Sequence, residues 1–214
     1  YCAPRAMGET LSALPVTLAF ALLLSSPQRW KLLLAGALLS LAVGLRLQNG
    51  IFCLGALWLV WRQRSGLGWL LASLVAGALV YGGIDWLTWG RPFHSALVYL
   101  RFNVLEGKSS NFGTAPVFFY VARLVTAEGL TVVPLVALAV RSWAVRREVL
   151  WVSLAFLLVH SFIPHKELRF IFPLLPLLAA QAAVGLTRAP RWAMGAVVAL
   201  SLASLATFQT LTFG

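Results

Sequence analysis

The chain alternates long apolar runs with short polar or basic connections. The runs lie at residues 11–26, 32–45, 50–61, 67–84, 129–140, 149–163, 170–187 and 192–208. A helix crossing the hydrocarbon core needs about 17–25 such residues, so the pattern predicts an all-α, polytopic integral membrane protein with about eight transmembrane passes. Several runs are shorter than a bilayer is thick. Such helices are tolerated in a bundle beside a water-filled cavity, so a polar cavity at membrane depth is expected. One connection breaks the rhythm: residues 85–128 form a long external loop that is aromatic and only partly polar. A loop of that length is usually functional or disordered, and Trp86, Trp89, Phe102 and Phe118 argue against disorder. Interfacial helices are expected within it, with residues 97–102 amphipathic. SSNFGT at 109–114 has turn chemistry, and Pro116 belongs at or near the start of the next helix. No internal repeat is evident, and residues 1–214 read as a single transmembrane domain.

Composition sharpens this picture. Of the 214 residues 60% are hydrophobic and 11% charged, with a mean hydropathy of +0.86, against about 45–50% and 25% in soluble domains. The net charge of +11 could point to nucleic acid, but the cations are scattered singly and form no stripe. They follow a membrane rule instead. Lys and Arg are retained in short cytoplasmic loops, and every second connection carries them: Arg29 and Lys31, Arg62 and Arg64, Arg141, Arg146 and Arg147, Arg188 and Arg191, with Glu148 as the one acid among them. Glu9, Asp85, Glu106, Glu128 and Glu167 fall on the opposite, external face. Cys2 and Cys53 make no disulfide framework or CxxC site, and His94, His160 and His165 are too widely spaced for an HExxH helix. No triad, P-loop or GxGxxG fingerprint is present. The chain starts at Tyr1 without a signal peptide, and it reads as a fragment of a longer protein.

The candidate chemistry lies on the external face. His165, Lys166, Glu167 and Arg169 crowd the connection between two apolar runs. Ions so placed need water, each other or a charged ligand. One reading is an interfacial anchor whose cations snorkel to headgroups; the other is a grip on a phosphate or pyrophosphate, which Lys, Arg and His together suit. Asp85, followed by Trp86, Trp89 and Gly90, is either a helix terminus with a tryptophan belt or a carboxylate that binds sugar hydroxyls beside an aromatic face. Arg46, flanked by Gln48 and Asn49 at the junction of two short runs, should be recessed. It either faces a cavity or an anion, or pairs with an acid of a neighbouring helix. Asn103 and Thr114 could line a donor or acceptor site, although turn formation accounts for most of that segment. Glu9 with Arg5 could be a simple ion pair.

The hexapeptide HKELRF at 165–170, followed by Pro173 and Pro176, resembles the HKExRF signature of glycosyltransferase family 22, the lipid-phosphate-mannose-dependent mannosyltransferases of N-glycan and GPI-anchor assembly. Other pieces agree in order: the stretch Arg5 to Glu9, Arg46 between short helices, Asp85 to Gly90, and the segment holding Asn103, Gly113, Thr114, Pro116 and Tyr120. The likeness runs from about residue 3 to residue 185. It implies a GT-C fold and an inverting transfer on the periplasmic or lumenal face of a bacterial inner membrane or the endoplasmic reticulum. The implied partners are a polyprenyl- or dolichyl-phosphate sugar donor, a glycan or glycolipid acceptor and the membrane lipids, with no nucleic acid, cofactor or obligatory metal. The family's acid in its first external loop has no counterpart here, so the general base is expected upstream of Tyr1 and stays unnamed.

Transfer from a lipid phosphate needs a carboxylate to take the acceptor proton and cations to stabilise the departing phosphate. Arg46, His165, Lys166 and Arg169 are the candidate cations, with Glu167 orienting them and Asp85, Trp89, Asn103 and Thr114 on the sugar or acceptor side. A transporter or flippase of lipid-linked sugars is the alternative, and a structural subunit a third. A transporter would carry polar groups near mid-membrane in several helices, whereas here the charges gather at one face.

Overall fold

A computed structural model describes residues 7–128 and 132–213. The described residues are mostly helical, with short 3-10 and π turns and irregular connections between helices and no strand. The helices are α1 (Gly8–Leu24), α2 (Arg29–Leu45), α3 (Gly50–Arg62), α4 (Leu67–Trp89), α5 (His94–Leu100), α6 (Phe119–Glu128), α7 (Val132–Arg141), α8 (Trp143–Phe162), α9 (Leu175–Leu186) and α10 (Trp192–Phe213). As far as their residues are described, the eight apolar runs fall on these helices, the seventh starting in a 3-10 stretch at Leu168–Leu174, and residues 85–128 contribute α5 and α6. Two helical stretches, Leu67–Trp89 and Leu168–Leu186, are long and apolar enough by themselves to cross a membrane.

Contacts divide the chain into two compact units, residues 1–114 with 169–173 and residues 115–168 with 174–214. In the first, α1 packs on α2, α2 on α4, and α3 touches all three. Val16, Ala19, Phe20 and Leu23 of α1 and Leu32, Ala35, Leu39 and Ala42 of α2 are buried, at the three- and four-residue spacing that puts them on one helix face. Phe20 meets Phe52 of α3 edge-to-face, ring centroids 6.1 Å apart. The α2–α4 seam is made of small residues. A Cβ on Gly36 would collide with Ser73, and one on Gly77 with Ser40, while the Ser73 hydroxyl donates to the Leu33 carbonyl at 2.6 Å. In lipid there is no hydrophobic force between helices, and close backbone approach of this kind holds them together. Outside that seam α4 shows Leu71, Val75, Leu79, Val80, Ile84 and Leu87 to its surroundings, an exterior suited to acyl chains and not to water.

In the second unit α7 and α8 pack on α9, and α6 meets α7, α8 and α10. Gly185 of α9 lies against the Leu138 carbonyl of α7, where any side chain would clash. Ser142 donates to the Gln181 side chain at 2.6 Å, satisfying a buried polar pair between those helices. Helix α9 starts with Pro176 in its first turn, where the missing N–H costs no hydrogen bond.

The corner between α4 and α5 is set by three local features. Gly90 takes the left-handed conformation (φ 70°) and donates to the Trp86 carbonyl, ending α4 as glycine commonly does. Phe93 is also left-handed, at φ 57°, which is unfavourable for a bulky residue. The far end of its ring comes so close to Gly82 that a Cβ there would touch it. Helix α5 buries none of its residues and runs into a π turn at Arg101–Leu105. Leu97, Val98, Leu100 and Leu105 are all exposed, so the segment expected to be amphipathic has no apolar face packed against the protein.

Candidate functional site

Glu9 in the first turn of α1 is fully buried. A lone buried carboxylate would cost several kcal/mol, and two guanidinium groups offset this. Arg46 Nη2 lies 2.7 Å from Glu9 Oε1, and Arg169 Nε lies 3.7 Å from the same oxygen. Arg46 sits at the bend after α2, before a 3-10 turn at Leu47–Asn49. That bend is fixed by the buried Asn49 amide, which donates to the Ala42 carbonyl at 2.8 Å. Arg169 is the second residue of the 3-10 stretch Leu168–Leu174, and the Gln48 amide reaches the Phe170 carbonyl at 3.4 Å. Two cations from distant parts of the chain therefore meet over one carboxylate. Both keep about a third of their side chains accessible, at 36% and 37%. Tyr99 feels the same charges. Partial desolvation raises its phenol above the usual value, Arg46 opposes this and Glu9 adds to it.

Arg46 thus realises the pairing with an acid of a neighbouring helix, and that acid is Glu9. The sequence put Glu9 beside Arg5, which lies outside the described residues. The signal for the observed pairing was a single acid in the first turn of an apolar helix, too little to choose between its possible cations.

The residues expected on the sugar side separate by environment. Asp85, 4% exposed, turns its carboxylate onto the start of α5, accepting from the Ser95 backbone N–H and hydroxyl at 2.7 Å each. This is a capping arrangement for a helix N-terminus. Trp89 is 63% exposed and stacks on His94 at 5.2 Å, which leaves a broad aromatic face open. The Asn103 amide folds back onto the Tyr99 carbonyl at 2.9 Å. Thr114 is exposed, just after Gly113 at φ 101°. Between them Glu106 accepts from Arg101 at 2.6 Å and Lys108 at 2.7 Å. Hydrogen bonds from Lys108 and Arg101 hold its carboxyl below the ordinary carboxylate range.

The chain passes from one compact unit to the other inside the HKELRF motif, between Leu168 and Arg169. Within the second unit Lys166 is 8% exposed and donates to the Ala115 carbonyl at 2.7 Å. The Ala115 N–H in turn donates to the Pro164 carbonyl at 3.0 Å. Ala115 is therefore clamped on both sides by the motif's strand of chain. Burial lowers the Lys166 ammonium from its usual value. His165 Nε2 lies 3.3 Å from Glu167 Oε1. Tyr120, also buried, has its phenol pushed well up by burial, with the Glu167 charge adding to the shift. The clamp on Ala115 was not legible in the sequence, because a lysine gives no sign of which backbone carbonyl will meet it.

A hexapeptide whose arginine leaves the motif to share a buried acid with a second arginine invites comparison with known proteins. The sequence model of the Alg9-like mannosyltransferase family matches residues 1–213. The chain belongs to this family. It is 35% identical to GPI mannosyltransferase 3 of Yarrowia lipolytica over 56% of this chain and 23% of that protein. It is 36% identical to GPI mannosyltransferase 3 of Trypanosoma brucei brucei over 56% of this chain and 24% of the relative. With the Dol-P-Man:Man(7)GlcNAc(2)-PP-Dol alpha-1,6-mannosyltransferase of Drosophila melanogaster the identity is 34%, over 56% of this chain and 18% of the relative. The matched part thus spans about a quarter or less of these relatives' length. No solved structure matches the chain.

Proposed function

We propose that this chain is part of a membrane mannosyltransferase that takes mannose from a polyprenyl- or dolichyl-phosphate donor and passes it to a lipid-linked glycan acceptor on the lumenal or periplasmic side. The observation that carries the reading is the convergence of Arg46 with Arg169 of the family's motif, each with part of its side chain accessible. In this scheme an acceptor hydroxyl attacks the anomeric carbon from the face opposite the phosphate. The carbon–oxygen bond to phosphate breaks, the configuration inverts, and the hydroxyl proton passes to a carboxylate beyond the residues assigned here. The phosphate oxygen gains charge as it departs, so cations fixed where that charge develops lower the barrier. Arg46 and Arg169 fill that role. Lys166 holds the Ala115 segment against the motif, with His165 and Glu167 paired beside it, and Trp89 and Thr114 offer exposed surface to a sugar.

The test uses Arg46→Ala and Arg169→Ala in the complete protein, assayed with radiolabelled dolichyl-phosphate-mannose. Each variant is expected to lose about two orders of magnitude or more in transfer, the scale of removing one transition-state donor, at unchanged expression. Full turnover in both would overturn the assignment.

A further inference from the structure

We infer that Glu9 is a positioning residue, holding Arg46 and Arg169 side by side for the donor phosphate; this rests on the phosphate role given to those arginines above. Two guanidinium groups brought together without a counter-ion repel each other and swing apart. Glu9 prevents this from behind, since one oxygen, Oε1, meets both, while the carboxylate itself is sealed from solvent at 0% exposure. The neighbouring residues of the same helical turn complete the seat. Arg169 Nη1 lies 3.9 Å from the Met7 sulfur. A Cβ on Gly8 would come within 2.9 Å of the Leu45 carbonyl oxygen and 3.1 Å of Arg46 Nε, so the start of α1 approaches Arg46 as only glycine permits.

Two arginines and one carboxylate leave a net single positive charge facing the ligand. The sealed position also separates Glu9 from the general base: it has no exposed oxygen to meet an acceptor hydroxyl. Its contribution is preorganisation, keeping the two donors where the phosphate charge grows, and losses of this kind reach about a hundredfold for small displacements.

The experiment compares Glu9→Gln, Gly8→Ala, Arg46→Ala and Arg169→Ala in the complete detergent-solubilised protein. The monodisperse fraction is assayed with dolichyl-phosphate-mannose for kcat and KM, alongside thermal melting. For Glu9→Gln a kcat lower by about 10- to 100-fold is expected, with the donor KM not raised, because the local charge becomes more positive. Glu9→Asp, which keeps the charge, should recover part of the loss. Gly8→Ala, which leaves the carboxylate in place and crowds Arg46, should lower kcat in the same sense and serves if Glu9→Gln does not fold. If Glu9→Gln melts earlier but keeps wild-type kcat per folded molecule, while the arginine variants are inactive, Glu9 is a structural ion pair and this inference falls with the phosphate reading intact. If both arginine variants keep wild-type kinetics, the phosphate reading falls and takes this one with it.

Discussion

A carboxylate at the end of one helix meets the unsatisfied N–H groups of the next before it meets any ligand. Asp85 illustrates this, since the Ser95 N–H and hydroxyl take up both of its oxygens, and the sequence could not distinguish that use from sugar binding because both need an acid beside tryptophans. Removing the acceptor should cost about 0.5–2 kcal/mol, the range for a lost helix cap. Asp85→Ala is therefore expected to lower the melting temperature and speed amide exchange over residues 94–100. Asp85→Asn, which keeps one acceptor oxygen, should lose less. Equal stability of wild type and Asp85→Ala would show that the cap contributes nothing. Lys166 follows the same logic: its ammonium serves the Ala115 carbonyl, while burial alone lowers its affinity for a proton.

At the scale of helices, the apolar pattern marked where each element lies but not which faces touch. Helices uniformly apolar around their circumference carry almost no directional signal, so glycine and serine positions decide the seams. Gly77 meets Ser40 directly, whereas Gly83 on the same helix has open space around its Cα. Gly77→Ala is expected to destabilise by about 1–3 kcal/mol through overpacking, while Gly83→Ala should be neutral or stabilising by up to about 1 kcal/mol through helix propensity. Melting both variants in detergent checks the contrast, and a stable Gly77→Ala protein would remove the α2–α4 seam as a determinant. Residues 85–128 were readable as helical and aromatic, but not the π turn at Arg101–Leu105 or the left-handed Phe93, whose ring comes close to Gly82.

For the whole molecule, the charge alternation along the sequence predicts a topology that labelling can test. In a protein carrying Cys2→Ala and Cys53→Ala, Ser110→Cys within residues 85–128 should react with an impermeant reagent from the lumenal or periplasmic side. Arg64→Cys, between α3 and α4, should react only from the cytosol; reaction of both from one side would refute the alternation. The sequence by itself determined that this protein is helical, greasy and asymmetric in charge, because burial in lipid imposes length and composition on every segment independently of its neighbours. The HKELRF hexapeptide, a contiguous signal, likewise carried the family. Only the tertiary structure decided that Arg46 and Arg169 share Glu9, that Asp85 caps α5 and that Lys166 clamps Ala115. Partners of buried ions are chosen by distance in space, and a chain with few acids and many cations offers several pairings that only packing can resolve.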